Sequence, residues 1–292
     1  MPVKMLITGG TGLLGSELGG FFSSDYEVFA AGSSDVDIRY HDRVAGFLDR
    51  IRPDIVLHCA ALADVDRCER ENELAFAVNA DGTENVAMAC RRLGCRMIHY
   101  STDYVFGGEK PSSYVETDAT NPVNVYGRSK LEGENRVAAI LPDSVILRVA
   151  WLYGDQSRSF INRLIVEGQA QLKDRSSGKP AIPVRAVSDR VGCPTWTLEV
   201  ARQTKLILEH GLRGLFHCTA IDGTSRFELS GMLFEHLSMN VELMSCDSRD
   251  FPDQAPRPHF TLLENRRLND LGLNIMRDYK TALFDFLDRG RA

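Results

Sequence analysis

No run of apolar residues in this 292-residue chain approaches the ~18 that a membrane-spanning helix requires. The N-terminal MPVKMLITGG passes straight into a strand pattern and lacks the charged-then-apolar layout and cleavage site of a secretory signal, so a cytoplasmic location is expected. Positive charge is scarce as well: 34 Lys and Arg against 40 Asp and Glu leave a net charge of −6, with no local basic patch to outweigh it. A phosphate backbone or an acidic membrane surface would be repelled, which argues against nucleic-acid and membrane partners. Cysteine occurs seven times, at 59, 68, 90, 95, 193, 218 and 246, an odd number without a CxxC pair. Buried, reduced thiols are the expectation. No cluster of His, Asp and Cys has metal-ligand spacing, so no catalytic metal is expected.

What the chain does have is 43% hydrophobic and 25% charged residues, ordinary for a globular protein with a sizeable core. In the first half, the strand patterns VKMLIT, EVFAAG, DIVLHCA and RMIHYS alternate with the helical patterns GLLGSELGGFF, DRVAGFLDRI and NELAFAVNADGTENVAMACRRL. The runs at 54–60 and 96–101 are apolar at nearly every position, which suits central strands of a parallel sheet covered on both faces. A helix over 126–139 and a buried-strand pattern over 144–150 add one more unit. The expected fold class is α/β: a doubly wound parallel sheet of Rossmann type with a smaller C-terminal α/β substrate lobe. Residues 1–154 are expected to form the dinucleotide-binding domain, with its last strand near 144–150 and parts of the C-terminal half returning to it. Residues 155–292 are then mainly the substrate lobe. There the pattern predicts helices over 159–170, 195–210, 226–237 and 278–288, and a strand over 214–219. It also predicts a loop over 173–183 and a proline-rich loop with Pro252, Pro256 and Pro258, and it has no repeats. His58, His99 and His217 lie in apolar strands and read as satisfied core histidines.

Gly9, Gly12 and Gly15 stand three residues apart, directly after an apolar strand and at the start of a helix. In that setting Gly9 permits a tight turn, Gly12 lets the backbone approach a pyrophosphate and Gly15 lets the helix pack near the sheet. Dinucleotide binding follows, with Gly9, Gly12, Leu13, Leu14 and Gly15 around the cofactor. At the end of the second strand, where the adenosine ribose is read, stands Gly32-Ser33-Ser34-Asp35. Ser33 and Ser34 suit a 2′-phosphate with Arg39 in reach, whereas Asp35 suits free ribose hydroxyls. The choice stays open, with NADP(H) favoured over NAD(H).

Tyr126 and Lys130 are four residues apart, on one face of the predicted helix. A free phenol titrates near about 10, and a nearby ammonium with a cationic nicotinamide is expected to bring it toward working pH. Thr102 follows a strand C-terminus, where open sheets bind ligands, and is placed to donate to the same substrate oxygen. Thr102, Tyr126 and Lys130 form the expected catalytic set for ketone reduction, the tyrosine giving the proton and the cofactor the hydride.

These pieces together resemble the dTDP-4-dehydrorhamnose reductase family of extended short-chain dehydrogenase/reductases. The likeness is carried by TGGTGLLG at 8–15, HCAA at 58–61, Val65-Asp66, YSTDYVF at 100–106, ETDATNPVNVYGRSKLEGE at 116–134 and RVAWLYG at 148–154. It continues more thinly through SDRVGCPT at 188–195, GLFHCTA at 214–220 and Arg257-Pro258. The resemblance implies NADPH-driven reduction of the 4-keto group of a dTDP-linked 6-deoxysugar, with dTDP-L-rhamnose formation as the leading case and Thr102, Tyr126 and Lys130 as the triad. It implies that Ala60, Ala61, Ala63 and Asn79 lie along the cofactor, together with Tyr126 and Lys130, and that Asp37 and Ile38 flank the adenine. Val65, Asp103, Tyr104, Trp151 and Arg257 would face the sugar nucleotide.

Two positions depart from the family pattern. Family dimers that form around magnesium use acids on the first helix and after a GxPT segment; Glu17 fits the first, but Leu198 stands at the second. That counts against magnesium and leaves a homodimer open. Arg190 stands where the family usually has glutamine. Two other functions use the same scaffold. A nucleotide-sugar 4-epimerase needs only the triad and room for the sugar to turn over. A non-catalytic NADP-binding regulatory subunit, resembling that of methionine adenosyltransferase, would keep the fold to bind a partner enzyme. A dehydratase loses ground, because Asp103-Tyr104 stands where related dehydratases place Asp-Glu.

Overall fold

The computed structural model describes residues 2–155, 159–251 and 255–289, so Pro252 lies outside the described residues. The first half contains β1 (Lys4–Thr8), α1 (Leu13–Phe22), β2 (Glu27–Ala31), α2 (His41–Ile51), β3 (Ile55–His58), α3 (Val65–Arg70) and α4 (Asn72–Phe76). A π-helical turn (Ala77–Asp81), α5 (Gly82–Leu93), β4 (Arg96–Thr102), α6 (Val125–Ile140) and β5 (Val145–Val149) complete it. The remaining strands are β6 (Leu152–Tyr153), β7 (Val184–Val187), β8 (Val191–Gly192), β9 (Thr195–Trp196), β10 (Gly214–His217), β11 (Thr224–Ser225) and β12 (Leu243–Cys246). The remaining helices are α7 (Phe160–Ser176), α8 (Thr197–Glu209), α9 (Arg226–His236), α10 (Arg266–Asp270) and α11 (Tyr279–Arg289). None of the described helices is long and apolar enough to cross a membrane.

Six strands form one parallel sheet in the order β10-β5-β4-β3-β1-β2, the doubly wound arrangement expected. Side chains alternate across it with the period of two that a strand imposes. Met5, Ile7, Leu57, Ile98 and Leu147 face α1 and α8, and Leu6, Val56, Met97 and Ile146 face α2, α5 and α6. Met5, Ile7 and Leu57 are fully buried, a burial that contributes about 2 kcal/mol per side chain relative to exposure. The strand order reverses between β1 and β3, and the C-terminal ends of those strands open the crevice in which such sheets bind ligands.

Several elements differ from the sequence pattern. The segment 72–93 is helical throughout, as the pattern suggests, but a π-helical turn interrupts its α-helical pairing between α4 and α5. The turn carries Asn79, whose Oδ1 accepts from Leu62 N at 2.8 Å while its Nδ2 donates to Leu62 O at 3.1 Å and to Ser129 Oγ at 2.9 Å. α7 runs on to Ser176, so the expected loop over 173–183 begins as helix. The short helix α3 and the parallel pair β7·β12 lie where no element was expected. All seven cysteines are free thiols, and all but Cys59 are buried.

Candidate functional site

Two adjoining cavities, of about 490 and 420 Å³, open along the crevice and share Gly9, Gly12, Cys59 and Ala61 in their walls. The turn from β1 to α1 makes the shared wall. Gly9 has φ +68°, and a Cβ there would lie 2.7 Å from the backbone nitrogen of Ala60, so only glycine fits between the strands. Gly12, Leu13, Leu14 and Gly15 line the second cavity where α1 begins; α1 has no side-chain cap and no acid in its first turn. The positive end of the helix dipole and its first-turn N–H groups are thus offered to an anion.

Ser33, Asp37, Ile38, Arg39, Ala60 and Ala61 line the first cavity. Asp35 is turned into its own loop, where its Oδ2 accepts from Gly32 N at 2.8 Å. Arg39 forks onto Asp37, with Nε to Oδ1 at 2.9 Å and Nη2 to Oδ2 at 2.6 Å, and this pairing holds the Asp37 carboxyl below its usual range. The second cavity is lined by Ala63, Val65, Thr102, Asp103, Tyr104, Tyr126, Lys130 and Trp151. Three expected contacts are not among the described wall residues. Ser34 lies outside both cavities, Asn79 is engaged with Leu62 and Ser129, and Arg257 is paired to Asp66 at 2.8 Å.

The position of Tyr126 is set by the start of α6. Asn124 caps the helix, accepting from Gly127 N at 2.7 Å. Gly127 lets that first turn approach the carbonyl of Tyr104, which any Cβ would strike. Further along, Glu134 forms a buried fork with Arg148 of β5, Nη2 to Oε2 at 2.7 Å, which fixes the rotation of α6 against the sheet. Thr102 donates to Asp103 Oδ1 at 3.1 Å and accepts from Tyr104 N at 3.1 Å. The Lys130 Nζ donates to the carbonyl of Tyr100 at 2.6 Å and lies 3.4 Å from His99 Nε2.

Burial dominates the electrostatics. It raises the Tyr126 phenol above its ordinary value, opposed by the Thr102 hydroxyl and reinforced by Asp103. Lys130 is not among the causes, so the expected pull of the ammonium on the phenol is not what this arrangement produces. Burial lowers Lys130 to about 8, against Glu134 and Cys59, and raises Asp103 to about 6, against the hydroxyls of Thr261 and Thr102. His58, His99 and His217 are buried as expected but not all satisfied: His99 Nδ1 and His217 Nε2 have no partner among the described residues. Glu17 and Leu198 share a shallow cavity with Asp155 and Arg289, and Glu17 accepts from Thr197 at 3.1 Å. Among the described residues no three His, Cys, Asp or Glu side chains converge as a metal site.

Residues 3–292 match the family described as the RmlD substrate binding domain. The chain belongs to the RmlD family. It is 37% identical over 290 residues to the dTDP-4-dehydrorhamnose reductase of Mycolicibacterium smegmatis, spanning 98% of this chain and 85% of that one. It is 34% identical over 286 residues to the dTDP-4-keto-6-deoxy-D-glucose reductase of Streptomyces niveus, spanning 97% and 96%. Among solved structures it resembles the dTDP-4-dehydrorhamnose reductase of Bacillus anthracis in complex with NADP, with a TM-score of 0.93, 29% identity, and 99% and 100% of the two chains covered.

Among the cavity residues of this RmlD-family chain that the sequence reading did not name, Arg226 carries a charge beside the triad. Arg226 lines the cavity with the triad, as the first residue of α9. A cation there opposes the helix dipole. That conflict, directly after the Ser225–Glu228 capping box, is the signal that singles it out.

Proposed function

We propose that this chain uses NADPH to reduce the 4-keto group of a dTDP-linked 6-deoxysugar in the cytoplasm, forming dTDP-L-rhamnose. The reading is carried by one observation: Thr102, Tyr126 and Lys130 share the wall of a cavity that opens onto the glycine turn. The left-handed Gly9 and the anion-ready start of α1 suit a dinucleotide's pyrophosphate. Ser33 and Arg39 supply a hydroxyl and a cation to a 2′-phosphate, while Asp35 is occupied within its own loop. Residues 1–154 with the returning strand β10 serve the cofactor, and the rest of 155–292 serves the sugar nucleotide.

When bound, the reduced nicotinamide supplies hydride to the carbonyl carbon. Tyr126 supplies the proton to the carbonyl oxygen, because burial keeps the phenol in its acid form at neutral pH. Thr102, whose hydroxyl proton rests on Asp103, offers that oxygen a second donor once the hydroxyl turns toward it. Lys130, one helical turn away and mostly protonated below about pH 8, donates to the carbonyl of Tyr100 and presents a cation in the same cavity wall, where it would hold hydroxyl groups of the cofactor.

The test is nicotinamide oxidation by the purified chain with dTDP-4-dehydro-6-deoxy-L-mannose and, separately, dTDP-4-keto-6-deoxy-D-glucose, each with NADPH and NADH. Tyr126-dependent turnover of the first sugar with NADPH supports the reading. Turnover of the second sugar alone would replace the product, and binding of NADPH without turnover of either would replace the reductase assignment.

A further inference from the structure

The C-terminal ends of β1, β3 and β4 carry a polar row across the sheet face that packs against α5 and α6. Thr8 stands opposite His58 in the register of β1 with β3, and His58 stands opposite His99 in that of β3 with β4. All three are buried, and neither histidine is among the lining residues of the two cavities. The imidazoles stack, with ring centres 5.3 Å apart and planes inclined by 25°. At one end of the row Thr8 opens the glycine turn and lines the first cavity. At the other end His99 Nε2 lies 3.4 Å from the Nζ of Lys130, whose ammonium also donates to the carbonyl of Tyr100 at 2.6 Å.

The partners settle where the ring protons sit. Thr83 Oγ1 donates to the carbonyl of Asn79 at 2.8 Å, so toward His58 it is the acceptor, and that ring carries its proton on Nε2, 3.0 Å away. His58 Nδ1 then accepts from Thr8 Oγ1 at 2.6 Å. With both nitrogens committed, His58 is held neutral, and burial together with the Lys130 ammonium lowers it to about 3. An ammonium has no lone pair, so the Nε2 of His99 that faces it is an acceptor and the ring proton is on Nδ1. That Nδ1–H has no partner among the described residues. A buried donor left unpaired is costly, and what this orientation gains is an acceptor aimed at Lys130. Burial, then the ammonium and then His58 hold His99 well below the ordinary imidazole range, so it takes a hydrogen bond from the ammonium without taking the proton. The other ionisable groups around Lys130 are Glu134, forked onto Arg148, the Cys59 thiol, which burial raises, and Tyr126, one turn earlier on α6.

We infer that His99 is a positioning residue for Lys130: its Nε2 and the Tyr100 carbonyl each take one ammonium proton and leave the third for the cavity that Lys130 lines. His58, stacked on the ring and hydrogen-bonded at both of its own nitrogens, keeps the imidazole in that orientation. An acceptor in dry surroundings also opposes the burial that drives Lys130 toward its neutral form. The inference rests on the reading of Lys130 as the cation that holds the cofactor's hydroxyl groups, and it is independent of which sugar is reduced.

The test is NADPH binding to the full chain, read by nicotinamide fluorescence at pH values on both sides of 8, where Lys130 titrates. The proteins are wild type, Lys130→Met, His99→Leu, His99→Asn and His99→Gln. Wild-type affinity is expected to fall as Lys130 loses its proton. His99→Leu removes the acceptor, and His99→Asn holds its carboxamide too short to reach Nζ. Both should weaken NADPH roughly 3- to 10-fold at neutral pH and move the alkaline midpoint down by about 0.5–1 pH unit. His99→Gln extends a carbonyl oxygen toward the place of Nε2 and should recover most of both effects. Loss of packing would not produce that order, because leucine and glutamine fill similar volumes. Midpoints within about 0.2 unit of wild type in both the leucine and asparagine variants overturn the inference. A glutamine variant as impaired as the leucine one overturns it too. Lys130→Met binding NADPH as wild type does at every pH overturns the reading of Lys130 instead. Ring 15N NMR of the unsubstituted chain at neutral pH keeps the test independent of how the variants fold. The His99 proton is expected on Nδ1 with Nε2 bare, and a proton found on Nε2 overturns the inference.

Discussion

Tyr126 and Lys130 share one face of α6, and burial drives each toward its neutral form, the phenol upward and the ammonium down to about 8. For the tyrosine that is the form a proton donor needs. Tyr126→Phe should therefore lower kcat roughly 100- to 10,000-fold while the NADP dissociation constant stays within about twofold, as read by steady-state kinetics and cofactor titration. Wild-type-like turnover would remove the phenol from the reaction. Asp103 gives a second test through stability. Its carboxyl is lifted from 3.8 to about 6, so as pH rises the folded chain holds that proton longer than the unfolded chain does. The site's stability is complete below about pH 4 and is lost as pH rises through about 6, a difference on the order of 3 kcal/mol. Urea unfolding of wild type and Asp103→Asn across that window should show wild type losing stability relative to the variant; parallel profiles would contradict the shift.

The elements that were legible in the sequence are those whose signals are local. The turn from β1 to α1 announces itself by glycine spacing, and α6 by the Tyr126–Lys130 interval after an Asn124 cap. What was not legible is held by distant partners. The π turn within 72–93 carries Asn79, which bonds to Leu62 and to Ser129, fifty residues away in the latter case. α3 is six residues long, capped by Asp64 and tied down by the pairing of Asp66 with Arg257, 191 residues away. β7 and β12 have four residues each and exist only as each other's partner. α6 itself depends on a partner no local pattern names, because the fork between Glu134 and Arg148 is buried on both sides. Glu134→Ala leaves that guanidinium uncompensated and should cost about 3–5 kcal/mol in chemical denaturation, with activity falling as Tyr126 loses its register. A loss no larger than that of a surface substitution would mean that packing alone seats the helix.

At the scale of the whole molecule, ligand and stability are coupled through the crevice. NADPH at 100 times its dissociation constant should stabilise the wild-type chain by about 2.7 kcal/mol in thermal or chemical unfolding. Gly12→Val fills the wall that both cavities share; a Cβ at Gly12 meets only Gly9 O at 3.1 Å, so the fold should survive while NADPH no longer stabilises it. Equal stabilisation of variant and wild type would place the pyrophosphate elsewhere.

The edge strand β10 has a consequence for how specificity can change in this scaffold. It pairs with β5 from beyond residue 200, and α8, also from the second half, covers the same sheet face as α1. A cut near residue 154 would strip the cofactor half of an edge strand and of one wall of its core, so neither fragment is an autonomous cassette. Grafting the second half of a relative with a different sugar preference would import foreign sheet edges along with the new pocket. Exchange of sugar preference is therefore confined to short insertions and single substitutions in the segments that line the second cavity, around Trp151, Arg226 and their neighbours. Homologous shuffling of whole lobes is closed to it.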